Sequence, residues 1–543
     1  MTATVSAADS RPSESVTEKV SWLSFIILVA AQLVTIIDQA TLQVSTDAMI
    51  AQLGADLPKV QFANATYAMI AAGGMLIGGF SGLLIGWHRQ LQIGLVTLLS
   101  AFVLMALAPN MTVLIGVRVL VALGACLLIP SVLAHVAGLY HGAQRATAFA
   151  MLGAALGLTG VLIPVAAGML IDIFGFSATY MVVAGYTALV LVASFKIAEM
   201  PKSEAAAKFD SIGALLGCGG MVLLIVGLLQ AANWGVFKPL TDFAIFGLSP
   251  SLVLVCSGIL LLAALLRWEP RFEAKYGSAL LPKAFTSNPQ VMKGFYVLAL
   301  SAGALSGVMF VFIAYAQLVA GFSAMTTGLS IMIMAVTMVI ASVLTPAKLG
   351  PMSIRKVIGA CYLLLAMAAI ALYFGMQVDG YNSLAFIALV LIGASCGPMV
   401  ALAPVIVTSA LAARDAQQSG GLQATMKNIG VGIFLAVLGT IMNLSITGEM
   451  QQRTEGHPQL SVSVEQALQT TASMPFASDE QLVDQWQAVV QTEDEMQVLV
   501  ALNAEARLRS GRNTIMGFFI LVLLGFPMLR MLPDRSLNPP EKA

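Results

Sequence analysis

Among the ionisable residues inside long apolar stretches of the chain, three stand out: Asp38, Arg118 and Lys427. A charge held at the centre of a lipid bilayer costs about 2.5–3.5 kcal/mol or more, so each of the three calls for a compensating role. At ~1.5 Å of rise per helical residue, Asp38 lies roughly 12 Å from the outer end of its stretch and Arg118 roughly 10 Å. Matching depth on antiparallel helices allows the two to pair directly or through a water. Desolvation and a neighbouring guanidinium act on a carboxylate in opposite senses, which can poise Asp38 to gain and lose a proton. Arg118 stays charged throughout and would act on that equilibrium rather than carry the proton. A static ion pair bracing the helices and a direct counter-ion for a substrate are the two other readings. Lys427 stands only about 9 Å from the inner end of its stretch, where snorkelling to the interface is a sufficient account.

Around Asp38 the same stretch carries Gln32, Thr35, Gln39, Gln43 and Thr46, with Thr41 and Ser45. Spacings of three and four put many of these on one broad side. A helix that touched only lipid would not carry them, so this side faces a wet cavity or hydrogen-bonds a neighbouring helix. Gly74, Gly78, Gly82 and Gly86 recur every four residues in the second stretch, a small-xxx-small pattern that lets two backbones approach. The fifth stretch carries Gly153, Gly157, Gly160, Pro164 and Gly168 and is expected to bend and pack tightly. The 29 methionines offer pliable surface, some of it suited to lining a cavity.

These residues need elements that cross a membrane, and the composition supplies them. Of 543 residues, 58% are hydrophobic and 10% charged, against about 25% charged in a soluble domain. Net charge is zero, which argues against a nucleic-acid partner. The five cysteines all lie in apolar runs without metal-ligand spacing. The first apolar run starts near Trp22 and is too long for a signal-peptide core, so it reads as a retained span. Fourteen stretches of about 20 apolar residues are each long enough to cross: 22–46, 62–86, 91–109, 111–138, 148–171, 178–197, 211–233, 242–267, 292–319, 328–347, 356–376, 383–411, 422–445 and 513–532. With both termini inside, nineteen basic residues face the cytoplasm, while the short external loops hold only Lys59 and Lys238. That asymmetry orients the chain, and Trp22, Trp87, Trp234 and Trp268 at stretch ends read as an interfacial belt.

The expected organisation is a cytoplasmic tail over 1–20, a six-helix bundle over 21–200 and a two-span insertion with cytoplasmic connectors over 201–285. A second six-helix bundle occupies 286–543, including an external segment over 446–512 and a tail over 533–543. Paired halves of this kind are a common transporter build. The external segment carries ten acids against four arginines. Two capping boxes, Ser478-x-x-Gln481 and Thr492-x-x-Glu495, precede apolar-periodic runs, which predicts a short helical hairpin outside the membrane. It is either a solvated cap or a device that gates the outer mouth or docks a periplasmic adaptor.

At this point the chain resembles the fourteen-span drug:proton antiporter branch of the major facilitator superfamily, the quaternary-ammonium and multidrug exporter type. Tyr315-Ala-Gln317 … Gly321-Phe-Ser323 … Gly328-Leu329 is similar to the family's Tyr-x-Gln … Gly-x-Ser … Gly-Leu, and Phe62 … Tyr67 to its Trp-x4-Tyr. Asp38 and Arg118 fall at the family's membrane aspartate and span-four arginine, and Lys427 stands where an arginine is usual. The chain departs at Ala40 and Gln43 after Asp38. It departs again in Gly82-Leu-Leu-Ile-Gly86-Trp-His-Arg89, which lacks the gating aspartate, and at Ile163 and Ala167 around Pro164.

The resemblance implies an all-α polytopic fold of two six-helix bundles plus two extra spans, with Asp38 and Arg118 coupling protons. It makes Thr35, Gln39, Gln43, Tyr67, Tyr315 and Gln317 cavity candidates, and Gly82, Arg89, Gly160, Pro164, Gly168 and Lys427 gating or packing residues. The function it implies is proton-coupled export of a small amphiphilic or hydrophobic compound across the cell membrane, by a monomer among membrane lipids. An importer or lipid transporter of the same fold with a dedicated substrate is the alternative. No Walker motif, dinucleotide turn, metal cluster or catalytic residue set is found, so no cofactor beyond the proton motive force and no enzyme activity is expected.

Overall fold

The computed structural model describes residues 22–45, 49, 53, 57–198, 200, 208–240, 244–245, 247–322, 324–345, 352–378, 380–471, 474, 476, 479–490, 492–530, 532 and 534. The expected tail over 1–20, the tail over 533–543 apart from Asp534, the Thr46 position and the Ser478 cap lie outside them.

The chain is a multi-pass bundle of antiparallel helices. In order these are α1 (Trp22–Val44), α2 (Leu57–Ile85), α3 (Trp87–Ala106), α4 (Met111–Leu139), α5 (Gly142–Ser194), α6 (Ser211–Leu229), the short α7 (Ala231–Trp234), α8 (Pro250–Tyr276), the short α9 (Lys283–Ser287), α10 (Pro289–Leu318), α11 (Ala324–Leu344) and α12 (Ile354–Gly375). A two-stranded hairpin, β1 (Met376–Gln377) and β2 (Gly380–Tyr381), leads into α13 (Ser383–Thr408) and α14 (Ala413–Thr454). The chain ends with α15 (Val462–Thr470), α16 (Asp479–Trp486), α17 (Glu493–Leu523) and α18 (Phe526–Leu529).

Among the described residues twelve helices are long and apolar enough to cross a membrane, and Gly73–Ile85 is a further, shorter apolar helix. The stretches expected at 148–171 and 178–197 lie in one element, α5, broken where Gly175 takes φ 81°. Only a residue without a Cβ adopts that conformation at little cost, so the chain reverses there. Other boundaries follow from local chemistry. Asn110, Asp210, Ser249, Asn288, Ser353 and Asn382 each cap a helix start through the side chain. The expected 242–267 span begins later, at the Ser249 cap with Pro250 behind it, and runs on to left-handed Gly277.

Two apolar cores form. One gathers Phe25, Leu28, Leu95, Phe102, Phe149 and Phe176 of α1–α5; the other gathers Phe295, Phe312, Leu365, Leu389, Phe434 and Phe518 of α10–α14 and α17. Between them α6 and α8 cross closely, with Gly220 and Gly258 each leaving no room for a Cβ against the other helix. Cys218 of α6 lies against Gly73 of α2, and Leu228 against Gly432 of α14. Leu189, Leu215 and Leu260 point outward at 72%, 74% and 70% exposure, as lipid-facing side chains do.

We call the end where α1 begins the base. There Trp87 is 6% exposed and its Nε1 donates to Gln417 Oε1 (3.1 Å). This corrects its expected place in an interfacial belt: the indole is used as a contact between the two cores. At the opposite end, α14 and α17 extend beyond the core, and α15 and α16 fold between them. This cap has its own apolar centre of Ile446, Met450, Leu468, Leu482, Trp486 and Leu499. The expected hairpin is therefore a four-helix assembly, because α14 and α17 lengthen into it. Thr492 caps α17 as its motif predicts, accepting from Glu495 N.

Candidate functional site

The α1 and α4 helices bring Asp38 and Arg118 into direct contact. Arg118 Nη1 donates to both carboxylate oxygens, at 2.9 and 2.7 Å, and the two side chains are 0% and 2% exposed. The Tyr67 ring lies under the guanidinium, 5.3 Å from Cζ to centroid, a cation–π arrangement. From α5, the Tyr180 hydroxyl stands 3.5 Å from Asp38 Oδ1. Sequence reasoning missed Tyr180, since a tyrosine in an apolar run carries no signal without the helix that faces it.

Behind this pair lies a cavity of about 200 Å³ between the two cores. Gln32, Thr35, Ile36 and Gln39 of α1, Met75 of α2, and Ile129 and Leu133 of α4 line it. So do Phe149, Leu152, Gly153 and Leu156 of α5, Val400 and Pro404 of α13, and Ala424, Lys427 and Asn428 of α14. The polar side of α1 is thus divided. Gln32, Thr35 and Gln39 face the cavity, while Asp38, one residue and about 100° from Gln39, faces α4 and α5. At 200 Å³ the space is smaller than the roughly 300–1,000 Å³ of typical ligand pockets.

Lys427 departs from the expected snorkelling and stands in this cavity wall. Of the other cavity candidates, Thr35 and Gln39 line it, and the Gln43 side chain is outside the described residues. Tyr67 is buried against Arg118 instead. Tyr315 is 1% exposed and its hydroxyl accepts from Gln377 N (2.7 Å), fastening the β1–β2 hairpin to α10. Gln317 is exposed and lines no described cavity. Motif position alone does not tell which way these side chains turn.

The expected packing glycines separate in the same way. A Cβ on Gly78 would lie 1.8 Å from Cys126 O, and one on Gly82 would enter the Trp87 ring. Gly153 meets Val400 of α13. Gly168 has open space where tight packing was expected, Pro164 lies within α5, and nothing is described at the side of Gly160. Arg89 is exposed at the base.

The base joins the two cores. Gly79 of α2 and Gly421 of α14 meet backbone to backbone, and Ser342 Oγ of α11 donates to Ala150 O of α5 (2.8 Å). Gln418 Nε2 donates to Ala279 O (2.7 Å). A second space, about 530 Å³ and almost wholly apolar, lies between α6, α8, α10, α14 and α17, walled by Met221, Leu262, Phe295, Met426 and Phe434 among others.

A family model described as Major Facilitator Superfamily matches residues 28–435. The chain is 27% identical to the probable actinorhodin transporter of Streptomyces coelicolor, over 77% of this chain and 72% of that protein. It is 24% identical to the tetracenomycin C resistance and export protein of Streptomyces glaucescens, over 78% and 76%. Among solved structures, the proton:xylose symporter XylE bound to 6-bromo-6-deoxy-D-glucose superposes with a TM-score of 0.54 at 12% identity, covering 95% of this chain and 97% of that one.

Proposed function

Because the chain belongs to the Major Facilitator Superfamily, we propose that it is a proton-coupled secondary transporter that exports a small amphiphilic compound by alternating access. The observation that carries this reading is the buried Asp38–Arg118 pair behind a cavity walled by both cores. Protonating Asp38 removes the charge that compensates Arg118, and an uncompensated buried charge costs about 3–5 kcal/mol. The helices are thereby driven toward an arrangement in which Arg118 finds other partners or water. Helix α1 carries Asp38 on one side and Gln32, Thr35 and Gln39 on the other, so its displacement reshapes the cavity. A proton drives the cycle only as far as the two arrangements bind it differently.

Export is supported by relatives described as a probable actinorhodin transporter and a tetracenomycin C resistance and export protein. We further assign the chain to the fourteen-span branch. In support, each of the fourteen apolar stretches overlaps helix among the described residues, counting α5 as two segments across Gly175. We place the chain in the cell membrane, where the charge asymmetry favours both termini and the base in the cytoplasm. The contacts at the base then make this an outward-directed or occluded state.

The test uses inverted membrane vesicles with an imposed pH gradient and tetracenomycin C and actinorhodin as first probes. Accumulation should follow the gradient in the natural protein and vanish in Asp38→Asn, which still inserts and purifies as a folded protein. Full accumulation by Asp38→Asn would remove Asp38 from the coupling role. A second reading, transport of a lipid, is favoured by the apolar 530 Å³ space; translocation of labelled phospholipid in reconstituted vesicles, unaffected by either probe, would select it.

A further inference from the structure

Lys427 is the charge in the central cavity that has no counter-charge. Asp38 is taken by Arg118, and among the described residues no carboxylate ion-pairs with Lys427. The wall therefore carries a net positive charge facing a space whose other polar groups are neutral: Gln32, Thr35, Gln39 and Asn428. An unpaired ammonium in so apolar a setting is costly and gains most from an anion brought to it.

A second observation points the same way. Gln32 is 7% exposed, lines the cavity, and among the described residues nothing donates to its Oε1. A buried acceptor left open forgoes about 1–3 kcal/mol, which a ligand hydroxyl or amine would recover. Between these two groups the wall is apolar and pliable, with Met75, Phe149, Leu152 and Pro404. Asn428 Nδ2 stands 3.5 Å from Met75 Sδ, so the helix that carries Lys427 already touches the opposite core across this space.

We propose that the central cavity selects amphiphiles bearing a negative charge together with a separate hydrogen-bond donor, such as hydroxylated aromatic carboxylates, with Lys427 as the anion-binding residue and Gln32 accepting from the donor. This rests on the transport reading above and narrows its substrate class. It also sets the substrate apart from the quaternary-ammonium cations suggested by the family branch that the sequence resembles.

The experiment is equilibrium binding to the purified full-length protein in detergent, with 6-hydroxy-2-naphthoate as probe and its uncharged methyl ester as control, each corrected for partition into empty micelles. The natural protein should bind the acid about tenfold or more tightly than the ester. Lys427→Gln should erase that preference, Lys427→Arg should keep it, and Gln32→Leu should weaken both ligands equally. The ester binding as well as the acid in the natural protein, or no saturable binding of the acid, overturns the proposal without recourse to any variant. So does an undiminished preference in Lys427→Gln. Absence of pH-driven accumulation in inverted vesicles while the acid preference holds would instead count against the transport reading alone.

Discussion

Removing either member of the Asp38–Arg118 pair leaves the other as an uncompensated charge beside Tyr67 and Tyr180, with little water to solvate it. The predicted energetics are therefore strongly non-additive. Arg118→Leu should lower thermal stability in detergent, Asp38→Asn should lower it less because the amide still accepts from the guanidinium, and the double variant should regain part of the loss. A coupling energy of about 1 kcal/mol or more is expected from the cycle; simple addition of the two losses would mean the pair is already solvated. This contact was legible in the sequence because both residues lie near the outer ends of their stretches, and a fixed rise converts position into depth. Lys427 was misplaced for the converse reason. Helix α14 starts at Ala413 rather than near residue 422, so Lys427 is fourteen residues, about 21 Å, from the helix start and beyond reach of the base. Polar residues such as Gln418 and Gln423 hide that extension by interrupting the apolar run, although both are buried.

For the elements, the glycine pattern on α2 foretold close approach but not what would be approached. The four-residue series serves different neighbours: Gly74 and Gly78 face Cys126 of α4, whereas Gly82 faces Trp87. The adjacent Gly73 and Gly79 serve α6 and α14. Helical periodicity spreads such positions around the axis, so these five glycines meet four different neighbours. On α5 the same residue type has no such duty at Gly168, where a Cβ would meet nothing. Gly78→Ala should therefore push α2 from α4 and cost about 1–3 kcal/mol, as overpacking does. Gly168→Ala should be neutral or stabilising by up to about 1 kcal/mol, because alanine favours the helix. Melting of the two purified variants side by side checks both, and equal losses would refute the distinction. The twelve long apolar helices among the described residues were legible from hydropathy, whereas the lengthening of α14 and α17 into the external cap was not. Their outer turns are polar and are held instead by the Arg507–Asp479 and Arg453–Glu505 ion pairs and by the small core around Trp486.

At the scale of the molecule the question is what holds the base shut, since the proposed alternating access requires that closure to be reversible. Among the contacts that span the two cores are three at the base: Gly79 against Gly421, Trp87 with Gln417, and Ser342 with Ala150. Two are single hydrogen bonds, each worth about 0.5–1.5 kcal/mol net, and the third is bare backbone packing. None of these three involves a paired charge, and α5 packs along α11 and α13 while α14 packs along α2 and α4. The glycine contact is the most exacting of the three, because a Cβ on Gly421 would lie 2.5 Å from Gly79 Cα and 2.5 Å from Met75 O. A bulkier residue there can be housed only by parting α2 from α14. Gly421→Val should thus hold the base open while leaving each core intact. Spin labels at the exposed positions Arg89 and Ala413 should report a longer and broader separation in Gly421→Val than in the natural protein, and pH-driven accumulation of any probe should stop. An unchanged separation with transport lost would shift the defect to local misfolding of α14. An unchanged separation with transport retained would mean that the bundles do not close on this glycine pair during the cycle.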